Sequence, residues 1–175
     1  MGMPGPPFIE GETVTLRTIE EDDVPFLQRT INDPRVRRGL AAFDPKTEAD
    51  EREWITSVGE DGGVALAICV GEDPVGTVGL DAPNEVWGVA EIGYLLAPEA
   101  WGEGYATDAV GLLCEYAFDE RRLNEVVAAV YATNPASARV LEKVGFQREG
   151  VLRREAFVEG EYVDLYRYGL LAGDR

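Results

Sequence analysis

Ala90-Glu-Ile-Gly-Tyr-Leu-Leu96, followed past Pro98 by Trp101-Gly-Glu-Gly-Tyr-Ala-Thr107, decides how this chain folds. The first stretch ends a strand read from Val86 to Leu96. The second opens a helix reaching Phe118, in which Ala106, Ala109, Val110, Leu113 and Ala117 recur at helical spacing and should face a sheet. Gly102 and Gly104 let the backbone approach a ligand. The amides of Gly102, Gly104, Tyr105 and Ala106 at a helix N-terminus suit an anion, so phosphate or pyrophosphate is the implied ligand chemistry. Gly102-x-Gly104 lacks the third glycine of a dinucleotide fingerprint. Gly88-Val-Ala-Glu-Ile-Gly93 runs into Tyr94 where a P-loop needs lysine, so neither nucleotide motif is complete.

Downstream, Glu125 to Ala132 is a Val-rich strand, and Asn134-Pro135 starts a helix that Gly145 ends before Phe146. Gln147 to Val158 and Glu161 to Leu171 close the chain as a hairpin around Glu159-Gly160. Upstream, Val64 to Val70 and Pro74 to Leu80 form another hairpin. Thr47-Glu-Ala-Asp50 caps a helix running through Trp54, Ile55 and Val58, and an acidic cap at Glu20 to Asp23 precedes a helix through Ile31 that Asp33-Pro34 closes. A loop carries Arg35, Arg37 and Arg38. Val14 to Thr18 is the first strand, and residues 1 to 12, with three prolines and three glycines, read as a flexible N-terminal arm. The order is strand, two helices, three strands, helix, strand, helix, two strands. It predicts one mixed α/β domain over residues 13 to 172 with about seven strands.

Composition narrows the chemistry. Of 175 residues, 33 are acidic and 16 basic, a formal charge of −17 with no histidine. Histidine-based triads, His-ligated metals and an imidazole base are therefore excluded, and no metal site is expected. Cys69 and Cys114 sit in apolar surroundings without metal spacing and read as reduced core thiols of a cytoplasmic protein. No apolar run is long enough to cross a membrane. An acid-rich surface with two lysines, Lys46 and Lys143, is tolerable where salt screens it, which points to a halophilic setting. Such a net charge makes nucleic acid a poor direct partner.

The combination Glu91-Ile-Gly-Tyr-Leu-Leu96, Gly102-Glu-Gly-Tyr-Ala-Thr107, Asn134-Pro-Ala-Ser137, Glu142-Lys-Val-Gly-Phe146, Glu149-Gly150 and Asp164-Leu-Tyr166 resembles the GNAT acetyltransferase superfamily. Within it, the span from Ala90 to Gly169 resembles the RimJ/RimL-type ribosomal-protein N-acetyltransferases. The resemblance implies a mostly antiparallel sheet, splayed between the strands ending at Leu96 and Ala132, with acetyl-coenzyme A in the gap. It places the pantetheine arm against Leu95 and Leu96, the pyrophosphate on the amides of Gly102, Gly104, Tyr105, Ala106 and Thr107, and a pantetheine amide on Asn134. Trp101 and Glu103 depart from the family, which often carries Gln or Arg before the first glycine and a basic residue between the two. Arg139 or Lys143 could compensate.

The implied reaction moves an acetyl group from acetyl-CoA directly to a primary amine. That acceptor is a basic peptide or protein N-terminus, or a small amine. The resemblance makes Ser137 the proton donor to the thiolate. Glu91 and Glu155 are the two candidates for the base, Glu155 standing one position out of register with its counterparts, which on a strand reverses the face. Tyr94 and Tyr131 read as core or pocket wall rather than as catalysts. A homodimer is compatible with the late hairpin. The competing reading is a non-catalytic acyl-CoA-binding module, to which Trp101 and Glu103 lend their weight.

Overall fold

Alternation along Val89–Leu96 puts Ala90, Ile92 and Leu96 in the core and turns Glu91, Gly93 and Leu95 to the opposite face. The computed structural model, which describes residues 4–175, builds the remainder around this strand. The strands are β1 (Pro7–Glu10), β2 (Thr15–Thr18), β3 (Val64–Val70), β4 (Asp73–Leu80), β5 (Val89–Leu96), β6 (Glu125–Tyr131), β7 (Gln147–Val158) and β8 (Glu161–Leu171). The helices are α1 (Val24–Asn32), α2 (Pro34–Arg37), α3 (Glu48–Ser57), α4 (Tyr105–Asp119) and α5 (Pro135–Val144). All eight strands join one sheet in the order β1-β2-β3-β4-β5-β6-β8-β7. Every neighbouring pair is antiparallel except β5 and β6.

The parallel pair is short. Val89, Ala90 and Glu91 match Glu125, Val126 and Val127, after which β5 and β6 run on without pairing each other. This is the splay, and α4 covers it from the core side. Ala109, Val110, Leu113 and Ala117 are fully buried there among Ile92, Val126, Ala128 and Leu141. Cys69 and Cys114 are buried free thiols, which burial pushes up to about 11 and about 12, so both stay protonated and unreactive.

Three expectations change. Residues 7–10 are not part of a flexible arm but the eighth strand, pairing Pro7, Ile9 and Glu10 with Arg17, Leu16 and Thr15, while residues 1–3 lie outside the described residues. The free edge of β2 needs partners for its peptide groups, and a proline-bearing strand can serve there because its far side faces water. Phe8 also stacks edge-on against Tyr116. Secondly, β5 starts at Val89 rather than Val86. Asn84 Oδ1 accepts from the amides of Val86 and Trp87, and Gly88 at φ +66° turns the chain into the strand. Thirdly, the arginine loop begins with the short helix α2, capped by Asp33, whose side chain accepts from the Arg35 amide. Among the described residues no helix is long and apolar enough to cross a membrane.

Candidate active site

The splay leaves hydrogen-bonding groups of β5 without strand partners. In an antiparallel ladder, hydrogen-bonded and non-bonded pairs alternate. Asp81 donates to the Glu91 carbonyl and Ala97 to the Val75 carbonyl, so Glu91, Gly93, Leu95 and Ala97 spend their peptide groups on β4. Those of Tyr94 and Leu96 point the other way, into the gap. This corrects the expectation for Leu95: an arm lying along the open edge would meet the peptide groups of Tyr94 and Leu96. The Leu96 carbonyl is engaged by Trp101, whose indole Nε1 donates to it at 3.0 Å.

Past the gap lies the N-terminus of α4. Gly102 and Gly104 have φ of +83° and +85°, a left-handed backbone that glycine adopts without strain. Gly104 is the cap residue and offers no side chain, so the amides of Tyr105, Ala106 and Thr107 are without acceptors among the described residues. Beside them an open cleft of about 500 Å³ is bordered by Glu12, Glu103, Asp108, Glu115 and Lys143. Of the two compensating cations expected, Lys143 borders this cleft and Arg139 does not. One oxygen of Asp108 is occupied, accepting from the amides of Thr13 and Val14 and the Thr13 hydroxyl.

On the other side of the gap, Asn134 caps α5 by accepting from the Ser137 amide at 3.2 Å. The Tyr94 hydroxyl lies 2.7 Å from Ser137 Oγ and 3.1 Å from the Ser137 carbonyl, to which it can donate. Burial pushes the phenol up to about 12, so it is neutral at physiological pH. Tyr94, read from sequence as core or pocket wall, thus bonds the two sides of the gap together. A strand tyrosine with a buried ring and a polar tip carries that hint but not the identity of its partner.

A larger cleft of about 890 Å³ opens on the sheet face opposite α4, between the sheet and helices α1 and α3. Thr77, Gly79, Gly93 and Leu95 lie along its floor, with Leu27 of α1 and Trp54 of α3 above. Gly79 and Gly93 are directly opposed across β4 and β5, which hollows the floor. Four carboxylates border the cleft, from Asp50, Glu51, Asp61 and Asp81, against one ammonium, from Lys46. No sequence motif marked this group as a whole, because its members come from α3 and from three loops, at Lys46, Asp61 and Asp81. Glu91 shares the face of Gly93 and lies beside Asp81. Partial withdrawal from water and the Asp81 charge raise its pKa, with Arg167 pulling the other way.

Glu155 is placed differently. It falls in the bulge of β7 between Leu152 and Ala156, where Asp164 holds the Arg154 amide, and its side chain is exposed without a hydrogen bond or ion pair among the described residues. Tyr131 ends β6, half-buried. The arginine segment also reaches the gap: Arg35 pairs with Glu99, Arg38 with Glu159, and a side chain at Gly39 would strike Asn134 Nδ2.

Residues 13–147 match the acetyltransferase (GNAT) domain family. The chain belongs to the GNAT acetyltransferases. Among GNAT relatives, an uncharacterized N-acetyltransferase p20 of Bacillus licheniformis is 31% identical over 91% of this chain and 93% of its own length. The putative ribosomal N-acetyltransferase YdaF of Bacillus subtilis is 32% identical over 91% and 92%. A spermidine N-acetyltransferase of Vibrio cholerae, solved with CoA and spermine, shares the fold at a TM-score of 0.85 and 24% identity, over 93% of this chain and 97% of that one. The protein is therefore an N-acetyltransferase of the GNAT family, similar in fold to RimJ and RimL, with acetyl-CoA as donor. The free amides of α4 and the open edge of β5 fit that donor.

Proposed function

We propose that this enzyme transfers acetyl directly, in a ternary complex, to a cationic primary amine bound in the 890 Å³ cleft. The observation that carries the reading is the cleft's surplus of carboxylates beside the open edge of β5. Acetyl-CoA supplies the acetyl group as an activated thioester. The pyrophosphate belongs on the amides from Gly102 to Thr107, and the pantetheine arm on the free peptide groups of Tyr94 and the amide of Leu96, with Asn134 beside it.

An amine attacks only when neutral, and an α-amine titrates near about 8. Glu91 takes its proton, directly or through water, and its raised pKa makes it a stronger base than an ordinary carboxylate. Glu155 keeps the role of second candidate and has less support, being exposed on a bulge. Ser137 hands its proton to the departing sulfur. When the Tyr94 phenol donates to Ser137 Oγ, the serine proton is free to turn into the gap. Positioning of amine and thioester supplies much of the remaining rate.

A small amine and a basic peptide N-terminus both fit an acidic cleft, and relatives named for ribosomal and for spermidine substrates support each. The surface charge supports a salt-rich cytoplasmic setting, and the exposed apolar side chains of β7 and β8 support a homodimer. Thiol release from acetyl-CoA, measured with a panel of amines and peptides in about 2 M KCl, tests the assignment. Turnover confined to cationic acceptors is the expected result, and equal turnover of neutral and cationic amines overturns it.

A further inference from the structure

Glu51 is the one buried side chain of α3. Its neighbours on that helix face at one and two turns, Trp54, Ser57 and Val58, also border the cleft, where helical periodicity calls for apolar residues. The Glu51 residue is 8% exposed and its carboxylate makes no hydrogen bond or ion pair with any described residue, in contrast to Asp50, whose carboxylate is held by Thr47. The Glu51 oxygens reach the cleft rather than being sealed in protein, so a cationic ligand that enters can pair with a carboxylate already largely withdrawn from water. Lys46 stands beyond ion-pair reach, its backbone tied to Asn32 and Gln28.

Resting on the assignment of this cleft to the acceptor, we propose that Glu51 binds a second, non-reacting cationic group of that acceptor. The substrate is then an amine with two positive charges, one lost at the Gly93 end of the cleft for acetyl transfer and the other kept at α3. Glu51 selects by charge at a distance from the reacting atoms and takes no part in the chemistry. Burial raises its carboxyl, with Asp50 adding to the rise and Lys46 opposing it, so an ammonium ion relieves an existing strain in charge.

Calorimetric binding of 1,4-diaminobutane and of butylamine to the full chain with CoA present tests this, using wild type, Glu51→Gln and Glu53→Gln. Glu53 is exposed on the same helix, so its variant matches the change in net charge. Wild type and Glu53→Gln should bind the diamine about tenfold or more tightly than the monoamine, and Glu51→Gln should bring that ratio near one while keeping butylamine binding. A ratio unchanged in Glu51→Gln, or no discrimination by wild type, overturns the proposal. Should Glu51→Gln fail to fold, the ¹³C carboxyl signal of Glu51 in wild type decides: a shift on diamine addition, and none with butylamine, is required. Gly93→Val separates the two levels. If it leaves acetylation of both amines untouched, the acceptor site itself is misassigned, whereas blocked acetylation with an unaltered Glu51→Gln ratio removes only the role of Glu51.

Discussion

The hydroxyls of Tyr94 and Ser137 lie 2.7 Å apart, one on β5 and the other on α5, and they form a bridge across the splay. Ser137→Ala should lower kcat about a hundredfold with little change in the KM for acetyl-CoA, as removal of a general acid does. Tyr94→Phe should lower kcat roughly fivefold, the worth of a hydrogen bond of about 1 kcal/mol, and should have no further effect once Ser137 is alanine. Additive losses in the double variant would mean that the phenol acts apart from the serine.

Gly104→Val tests the anion site. Its Cβ would meet no atom within 4 Å, so the penalty is the left-handed φ of +85°, about 1–2 kcal/mol, and a reoriented set of amides. The protein should stay folded by circular dichroism and bind acetyl-CoA at least tenfold more weakly. Unchanged affinity would place the pyrophosphate elsewhere.

Glu91 sets a pH limb. Its folded pKa is raised, so the base becomes available only above the ordinary carboxylate value of about 4.3, and kcat/KM should climb with pH through that displaced midpoint. The same shift makes Glu91 destabilising once ionised: its contribution to stability is greatest at low pH and declines as pH rises from the unfolded toward the folded value. Glu91→Gln should remove the limb and lower the rate. A profile that keeps its midpoint in Glu91→Gln would point to Glu155 or water.

Gly93→Val should obstruct the acceptor and spare the donor. The added Cβ finds open space, so the sheet accommodates it, yet the side chain stands on the floor of the larger cleft. The KM for the amine should rise tenfold or more with acetyl-CoA binding unchanged. Equal loss for both substrates would show that the β5 edge itself had moved.

Salt should stabilise the fold. With a formal charge of −17, raising KCl from 0.1 to 2 M shortens the screening length from about 10 Å to below about 3 Å and should raise the melting temperature by several degrees. A melting temperature that falls with KCl would mean that surface pairs such as Arg38 with Glu159 outweigh the repulsion.

Much of the architecture was legible because each boundary carries its own local chemistry. Asn134-Pro135 and Gly145 bracket α5, Thr47 and Asp50 cap α3, and the alternation of β5 is plain in its side chains. What escaped depends on partners far away in the chain. In Pro7–Glu10 the strand-favouring Phe8 and Ile9 are too few to stand out among the surrounding prolines and glycines, and the open edge of β2 makes the segment a strand. The parity that turns Leu95 toward β4 is fixed by Asp81 and Val75, which no reading of β5 alone contains. The acidic cleft likewise gathers Glu51 and Asp81 from helix and strand ends separated by the whole β3–β4 hairpin.

On the proposed assignment, the donor side of this enzyme is drawn in main-chain atoms, from the amides that follow Gly104 to the open edge at Tyr94 and Leu96, while the acceptor side is drawn in side chains. Main-chain atoms survive substitution. With that assignment, a lineage can exchange basic residues for Glu103 and drift toward an extreme surface charge without losing its grip on the donor, whereas a replacement around Glu51 should change what it can modify. The two halves of one active site are thus free to evolve at unequal speeds, with a fixed currency of acetyl and a changeable clientele.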